Sequence, residues 1–290
     1  MDHRPAGGRA VLRTSASRVL DARDLEEVRA LVARDPVSDV FVASRLDAGG
    51  LDPWRLGAEV WGYGERGRLE AVCYSGANLV PVQAQPEAVR AFAERARRQG
   101  RRCSSIVGPA PAVEELWHLL QPSWGWAREV RPTQPVMALD EEPSVDPDPW
   151  VRPVRPEEVE VLLPACVAMF TEEVGVSPLA GDGGTLYRAR VEELVAQGRA
   201  WARIEDGQVL FKAEIGAATK AVCQVQGVWV HPSLRGRGVG TAGTAAVVDL
   251  ARSTVAPVVS LYVNDFNLAA RRAYEKVGFR QVTTFASVLF

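Results

Sequence analysis

The chain has 290 residues, 47% hydrophobic and 24% charged, with a formal net charge of −2. That length suits two domains of ordinary size, each able to bury a core, and the charge balance gives no reason to expect a nucleic-acid partner. No run approaches the ~20 apolar residues of a membrane span and no secretory signal is visible. Cys73, Cys103, Cys166 and Cys223 lie far apart without a C-x-x-C pair, so the expectation is a cytoplasmic protein with reduced, mostly buried thiols. Histidine occurs only at His3, His118 and His231, and no metal-ligand cluster is visible.

Residues 1–14, rich in Arg, Gly and Pro, read as a loose tail. Arg18–Leu20 predicts a short strand, and Asp21 or Asp24 can cap a helix with Leu25, Val28, Leu31 and Val32 on one face. A strand pair follows, Val60–Tyr63 and Leu69–Tyr74, around a turn at Glu65-Arg66-Gly67. A helix is predicted from Pro86 to Gln99, stopped by Gly100, then a strand at Cys103–Val107, a helix at Ala112–Leu120 and a strand at Gln134–Leu139. The acidic, proline-dense stretch at 140–153 marks a linker centred on 141–150, which divides the chain into domains at 15–140 and 151–290.

The second half repeats the first. Trp61, Glu65, Gly67 and Gly76 recur as Trp201, Glu205, Gly207 and Gly216, and Gly125-Trp126 as Gly278-Phe279. The order of elements agrees as well, which favours a duplicated fold.

The repeat breaks where chemistry would sit. After a β-branched strand ending Val228-Trp229-Val230, the second half has His231-Pro232-Ser233-Leu234-Arg235-Gly236-Arg237-Gly238-Val239-Gly240-Thr241 and then an Ala/Val-rich helix to about Ala251. Glycines without a Cβ let the backbone present several N–H groups to one anion, the helix N-terminus adds its dipole, and Arg235 and Arg237 add charge. The guest is a phosphate or pyrophosphate. A Walker loop is excluded because no Gly-Lys-Ser/Thr is present. Gly238-Val-Gly240-Thr-Ala-Gly243 formally fits a dinucleotide fingerprint, but His231–Arg237 separates it from the strand, where the first glycine should follow directly. The first half has Ser-Gly-Ala-Asn-Leu-Val-Pro-Val-Gln-Ala-Gln at the corresponding place, with no such loop.

Downstream, a strand from Val258 breaks at Asn264-Asp265 and a helix capped near Asp265 or Asn267 runs to Gly278, with Asn267, Arg271 and Tyr274 on one face. Arg235-Gly236-Arg237-Gly238-Val239-Gly240 after Val-x-Pro, with Asn267, Ala270, Tyr274, Gly278 and Phe279 thirty residues on, resembles the paired signatures of the GNAT superfamily of acetyl-CoA-dependent N-acetyltransferases. The resemblance covers residues 150–290 directly and the first half through the repeat.

It implies a mixed α/β fold, two tandem acyl-CoA N-acyltransferase domains with a central mixed sheet splayed at the cofactor site, the first domain degenerate. It further implies that Val228, Trp229 and Val230 meet the pantetheine arm of acetyl-CoA, that Arg235, Gly236, Arg237, Gly238, Val239, Gly240 and Thr241 hold the pyrophosphate, and that Asn264 and Asn267 bond the arm. Tyr274 would protonate the leaving thiolate and the Val230 amide would polarise the thioester carbonyl. The acetyl group would pass directly to a small-molecule or peptide amine. Where family members place a base, this chain has Gln224, Gln226 and Tyr262, so Glu214, Glu172 and Glu173 are the remaining candidates. An α-amine, with a pKa of about 7.7–8.0, needs only a water relay, whereas a lysine at about 10.4 needs a base. A non-catalytic acyl-CoA-binding sensor is the alternative, and the oligomeric state is not readable.

Overall fold

A computed structural model describes residues 17–180 and 183–290, and the expected tail at 1–14 lies outside the described residues. The first half consists of β1 (Arg18–Val19), α1 (Leu25–Val32), α2 (Val40–Gly49), α3 (Pro53–Leu56), β2 (Glu59–Glu65), β3 (Arg68–Ser75), β4 (Asn78–Val82), α4 (Pro86–Gln99), β5 (Ser105–Pro109), α5 (Ala110–Trp124) and β6 (Glu129–Leu139). The second half consists of β7 (Arg152–Pro153), α6 (Val159–Val174), α7 (Thr185–Ala196), β8 (Ala200–Glu205), β9 (Gln208–Ala218), β10 (Val222–Val230), α8 (Val239–Thr254), β11 (Val258–Tyr262), α9 (Leu268–Val277) and β12 (Arg280–Leu289).

Local chemistry explains the elements that the sequence announces. In α4, Pro86 opens the helix and Ala88, Val89, Phe92, Ala93 and Ala96 form one buried face at helical spacing. The hairpins β2–β3 and β8–β9 close in the same register, Glu65 opposite Arg68 and Glu205 opposite Gln208, and each buries its tryptophan, Trp61 or Trp201. The repeat is therefore structural. The helices α2 and α3 and the strand β4 have no counterpart in the sequence reading: residues 40–46 carry apolar groups on several sides, and Pro81 interrupts the strand pattern of β4.

All strands of the described residues join one sheet of twelve, ordered β1-β2-β3-β4-β5-β12-β6-β11-β10-β9-β8-β7. The centre of that order carries the unexpected feature. Strand β12, the last of the chain, pairs with β5 of the first half, and β6 pairs with β11 of the second. Each half thus completes the other. Ala286 and Val288 of β12 are buried with Phe92, Leu116 and Leu120 of the first half, and Met137 and Leu139 of β6 are buried with Val259, Leu261 and Phe279 of the second. At about 1.5–3 kcal/mol for each large apolar side chain removed from water, this exchange ties the halves together strongly. Helix α2 adds a second tie, with Val40 buried against Ala217 and Val222.

Residues 141–150 contain neither helix nor strand, but they are anchored. The Ser144 amide donates to the Val277 carbonyl at 2.8 Å, the Asp148 amide to Ala242 at 3.0 Å, and Arg203 to the Asp148 carboxylate at 3.0 Å.

Candidate active site

Strands β10 and β11 run parallel and pair only where Val222, Cys223 and Gln224 face Val258, Val259 and Ser260. Beyond that point β10 stays with β9 as far as Val230, while β11 stays with β6 as far as Tyr262. The two strands part, and the edge of β10 from Val225 onward faces a gap. A bulge shapes that edge: Gln226 faces Glu214 and Trp229 faces Lys212, so Gly227 and Val228 oppose the single residue Ala213. Gly227 has φ +61°, and a Cβ there would stand 2.9 Å from Lys212 Nζ. Only glycine satisfies both constraints. The His231 amide donates to the Leu210 carbonyl of β9 at 2.9 Å. By strand alternation the Val230 amide therefore points away from β9 and into the gap, and the Val230 carbonyl on the same side accepts from Arg235 Nε at 3.0 Å.

The loop after β10 turns through Pro232–Leu234 in one 3₁₀ turn and enters α8 with Gly236 at φ +74° and Gly238 at φ +84°. Among the described residues, the amides of Gly236, Arg237, Gly238, Val239 and Gly240 donate to no protein acceptor, whereas that of Thr241 already bonds the Gly238 carbonyl at 3.0 Å. These amides and the dipole of α8 converge on one exposed spot, which fits an anion. A Cβ on Gly243 would stand 2.6 Å from the Phe211 ring, so the helix is seated close against β9. Arg237 is exposed and pairs with no acidic group among the described residues. Arg235 instead reaches across to helix α6, where Nη2 donates to both oxygens of Glu172 at 3.1 and 2.8 Å.

The candidate carboxylates occupy different environments. Glu172 and Glu173 lie in the last turn of α6. Glu172 is gripped by Arg235 and also accepts from the Trp229 indole at 3.3 Å. Glu214 is buried, with Oε2 taking Lys212 Nζ at 2.9 Å and Oε1 taking Gln226 at 3.0 Å. Lys212 is itself fully buried; burial opposes its charge, but the Glu214 carboxylate prevails and holds the ammonium above its ordinary value. Glu173 differs. Its Oε1 accepts from Arg131 at 2.7 Å and from Asn264 Nδ2 at 2.8 Å, while Oε2 receives no donor among the described residues.

Tyr274, on α9, is 8% exposed and lies edge-on to Phe279 with centroids 6.0 Å apart. Burial, then the negative charge of Glu173, push its phenol well above the ordinary value, and its hydroxyl donates to no group among the described residues. It stays protonated across the physiological range. Asn267 caps α9, its Oδ1 accepting from the Ala270 amide at 3.2 Å, which leaves the NH₂ for another partner. Asn264 is engaged at both ends of its amide: Nδ2 donates to Glu173, and Oδ1 accepts from Gln134 at 2.9 Å. Tyr262, at the end of β11, packs against Phe285 with ring centroids 5.8 Å apart.

Arg131, Gln134 and Lys212 are the polar residues of this region that sequence reasoning missed. Lys212 leaves a visible trace, a Lys and a Glu two apart in the otherwise apolar strand Val209–Ile215, which places both on one face. Arg131 and Gln134 belong to the first half, and nothing in the sequence carries them across to the second. Clefts of about 670 Å³ beside Pro143–Pro147 and about 580 Å³ beside Gln197–Arg199 include no residue of the loop or of the gap edge.

In the first half, β4 and β5 also pair in parallel at just Asn78–Ser105 and Leu79–Ile106 before parting. There the chain runs through Gln83-Ala84-Gln85 directly into α4, without glycine amides or arginines. The same scaffold lacks the anion loop.

Residues 171–279 match a sequence model described as the acetyltransferase (GNAT) family, and residues 58–162 match one described as a domain of unknown function (DUF4081). No curated protein matches the chain in sequence. A solved GCN5-related N-acetyltransferase from Sphaerobacter thermophilus aligns with a TM-score of 0.59 at 16% identity, covering 95% of this chain and 95% of that one. An acetyltransferase of the GNAT family from Colwellia psychrerythraea gives 0.54 at 14% identity, covering 94% and 99%. A tandem GNAT protein from the clavulanic acid biosynthesis pathway gives 0.53 at 16% identity, covering 93% and 97%. At such identities the likeness is one of fold, and it extends over nearly the whole chain.

Proposed function

We propose that this chain, whose residues 171–279 match the GNAT acetyltransferase family and whose fold is that of tandem GNAT proteins, transfers an acetyl group from acetyl-CoA directly to a primary amine, on a small molecule or a peptide, in the gap between β10 and β11. The domain at 151–290 holds the chemistry, and the domain at 15–140 is a degenerate copy that completes it. One observation carries the reading. Where β10 leaves β11 its edge is open, and it leads directly into a loop whose amides at Gly236–Gly240 are unbonded.

The donor set fits acyl-CoA. The loop amides with Arg237 would take the diphosphate, Val228 to Val230 would lie along the arm, and the Asn267 NH₂ would meet it; Asn264, whose amide is spent on Glu173 and Gln134, would act by orienting Glu173. When bound, acyl-CoA supplies a thioester whose C–S bond breaks as the amide C–N bond forms. The Val230 N–H would polarise the carbonyl oxygen. Tyr274 would give its proton to the departing sulfur and then recover one from solvent. Of the carboxylates, Glu173 is best placed to accept the amine proton, because one of its oxygens is held by Arg131 and Asn264 while the other is uncommitted. Glu172 and Glu214 already have donors on both oxygens.

The test is amine-dependent release of free CoA over a broad amine panel, with wild-type protein and Tyr274→Phe. Release by the wild type that collapses in the variant, with acetyl-CoA binding retained, supports the enzyme. Binding of acetyl-CoA without release for any amine would sink it and leave an acyl-CoA sensor.

A further inference from the structure

The arginines of the loop are not equivalent. Arg237 is exposed without an acidic partner among the described residues, whereas Arg235 is engaged on two sides. Its Nε holds the Val230 carbonyl at 3.0 Å, on the strand edge that faces the gap, and its Nη2 holds both oxygens of Glu172. Glu172 in turn accepts from the Trp229 indole and sits on the face of α6 that meets β10, since Met169, three residues earlier, reaches to 3.1 Å from where a Gly227 Cβ would be. A single guanidinium therefore links the anion loop, the gap edge and the last turn of α6.

We infer that Arg235 couples the two substrates of the proposed transferase: its one positive charge is divided between the Glu172 carboxylate and the diphosphate at the loop, so that acyl-CoA binding draws it from Glu172 and from the Val230 carbonyl. This rests on the acyl-CoA reading and deepens it. The physical basis is competition. Two anions that draw on one cation each weaken the other's hold, and an arm along β10 needs the same edge that Arg235 Nε now caps. The coupling is reciprocal, so whatever frees Glu172 also strengthens the loop's grip on the diphosphate. Released from Arg235, Glu172 presents its carboxylate to an incoming amine. Arg237 serves the diphosphate alone, whereas Arg235 serves both anions.

The experiment measures CoA affinity by titration calorimetry for the full-length wild type, Glu172→Gln, Arg235→Ala and the double variant. Glu172→Gln removes the competing charge at a half-exposed site, and the expected result is CoA binding about two- to fivefold tighter, the range set by exposed ion pairs. In the Arg235→Ala background the same substitution is expected to have no effect. An unchanged or weaker affinity in Glu172→Gln, or an equal gain without Arg235, overturns the inference while the acyl-CoA reading stands. Absence of CoA binding by every form overturns both.

Discussion

Arg131, on β6 of the first half, donates through Nη1 to Oε1 of Glu173 on α6 of the second half at 2.7 Å, and through Nη2 to the Glu173 carbonyl at 2.5 Å. The same guanidinium grips Glu129 at 2.9 and 3.0 Å, and its own neighbour Gln134 holds Asn264 while accepting from Ser287 of β12. Arg128 adds a donor to the Val174 carbonyl. The C-terminal carbonyls of α6 are thus capped by cations, as a helix dipole favours, and the residue best placed to accept a proton is held by a strand from the other half. The first half lacks the anion loop, yet its strand β6 holds Glu173 of the second half.

Substituting Arg131→Met is expected to lower stability by about 1–3 kcal/mol, since a buried guanidinium leaves Glu129, Glu173 and Asn264 short of donors. Because β6 and β12 are exchanged between halves, unfolding of the full chain should be one transition, with tryptophan fluorescence and far-ultraviolet circular dichroism coincident in denaturant. Two separated transitions would contradict the exchange.

Tyr274→Phe is expected to reduce turnover by about 10²–10⁴, the range for a lost general acid, with acetyl-CoA affinity changed by less than about twofold. The pH profile adds a sign. Burial and then the Glu173 charge raise the phenol, so no alkaline loss of activity from Tyr274 should appear below about pH 10. Glu173→Gln takes away one of those causes and should lower the phenol's titration, read from tyrosinate absorbance against Tyr274→Phe and so independent of turnover; a titration that stays in place would mean that Glu173 does not face the phenol.

Lys212 and Glu214 form a buried ion pair beneath the Gly227 bulge. Lys212→Met alone should cost about 3–5 kcal/mol, because it strands a carboxylate, while Lys212→Met with Glu214→Gln should recover most of that loss. Chemical denaturation of the double-mutant cycle measures the difference. Additive losses would show that the pair is not coupled.

The local elements were legible because their causes are local. Pro86 and Gly100 bracket α4, and the paired Trp, Glu and Gly positions betray the duplication. The Arg/Gly loop was legible for the same reason, since its composition states its backbone geometry. The exchange of β6 and β12 was not. Alternation tells that Gln134–Leu139 is a strand and which faces it has, but not which strand lies beside it. Asn264 shows the limit: its turn is legible, but not that its amide lies between Glu173 and Gln134, the latter 130 residues earlier. The charge of Arg235 in the loop is likewise legible, but only the fold brings Glu172 to it.

Asp39 opens α2 at the seam between the halves, next to Val40, which is buried against Ala217 and Val222. Burial pushes its carboxyl up to about 7, against the opposing hydrogen bond from Gln83 Nε2 at 2.8 Å. The folded protein therefore binds this proton more tightly than the unfolded chain, whose carboxyl has the ordinary value of about 3.9. The linkage then has a definite sign: the contribution of Asp39 to stability is fully present below about pH 4 and is lost as pH rises through about 7. Asp39→Asn keeps an oxygen for Gln83 and removes the buried charge. At pH 8 the variant is expected to be more stable than the wild type by about 1–3 kcal/mol, and the gain should shrink toward zero by about pH 4. Urea midpoints across that range measure it. A gain that is constant with pH would mean that Asp39 is ionised throughout and that the seam does not desolvate it.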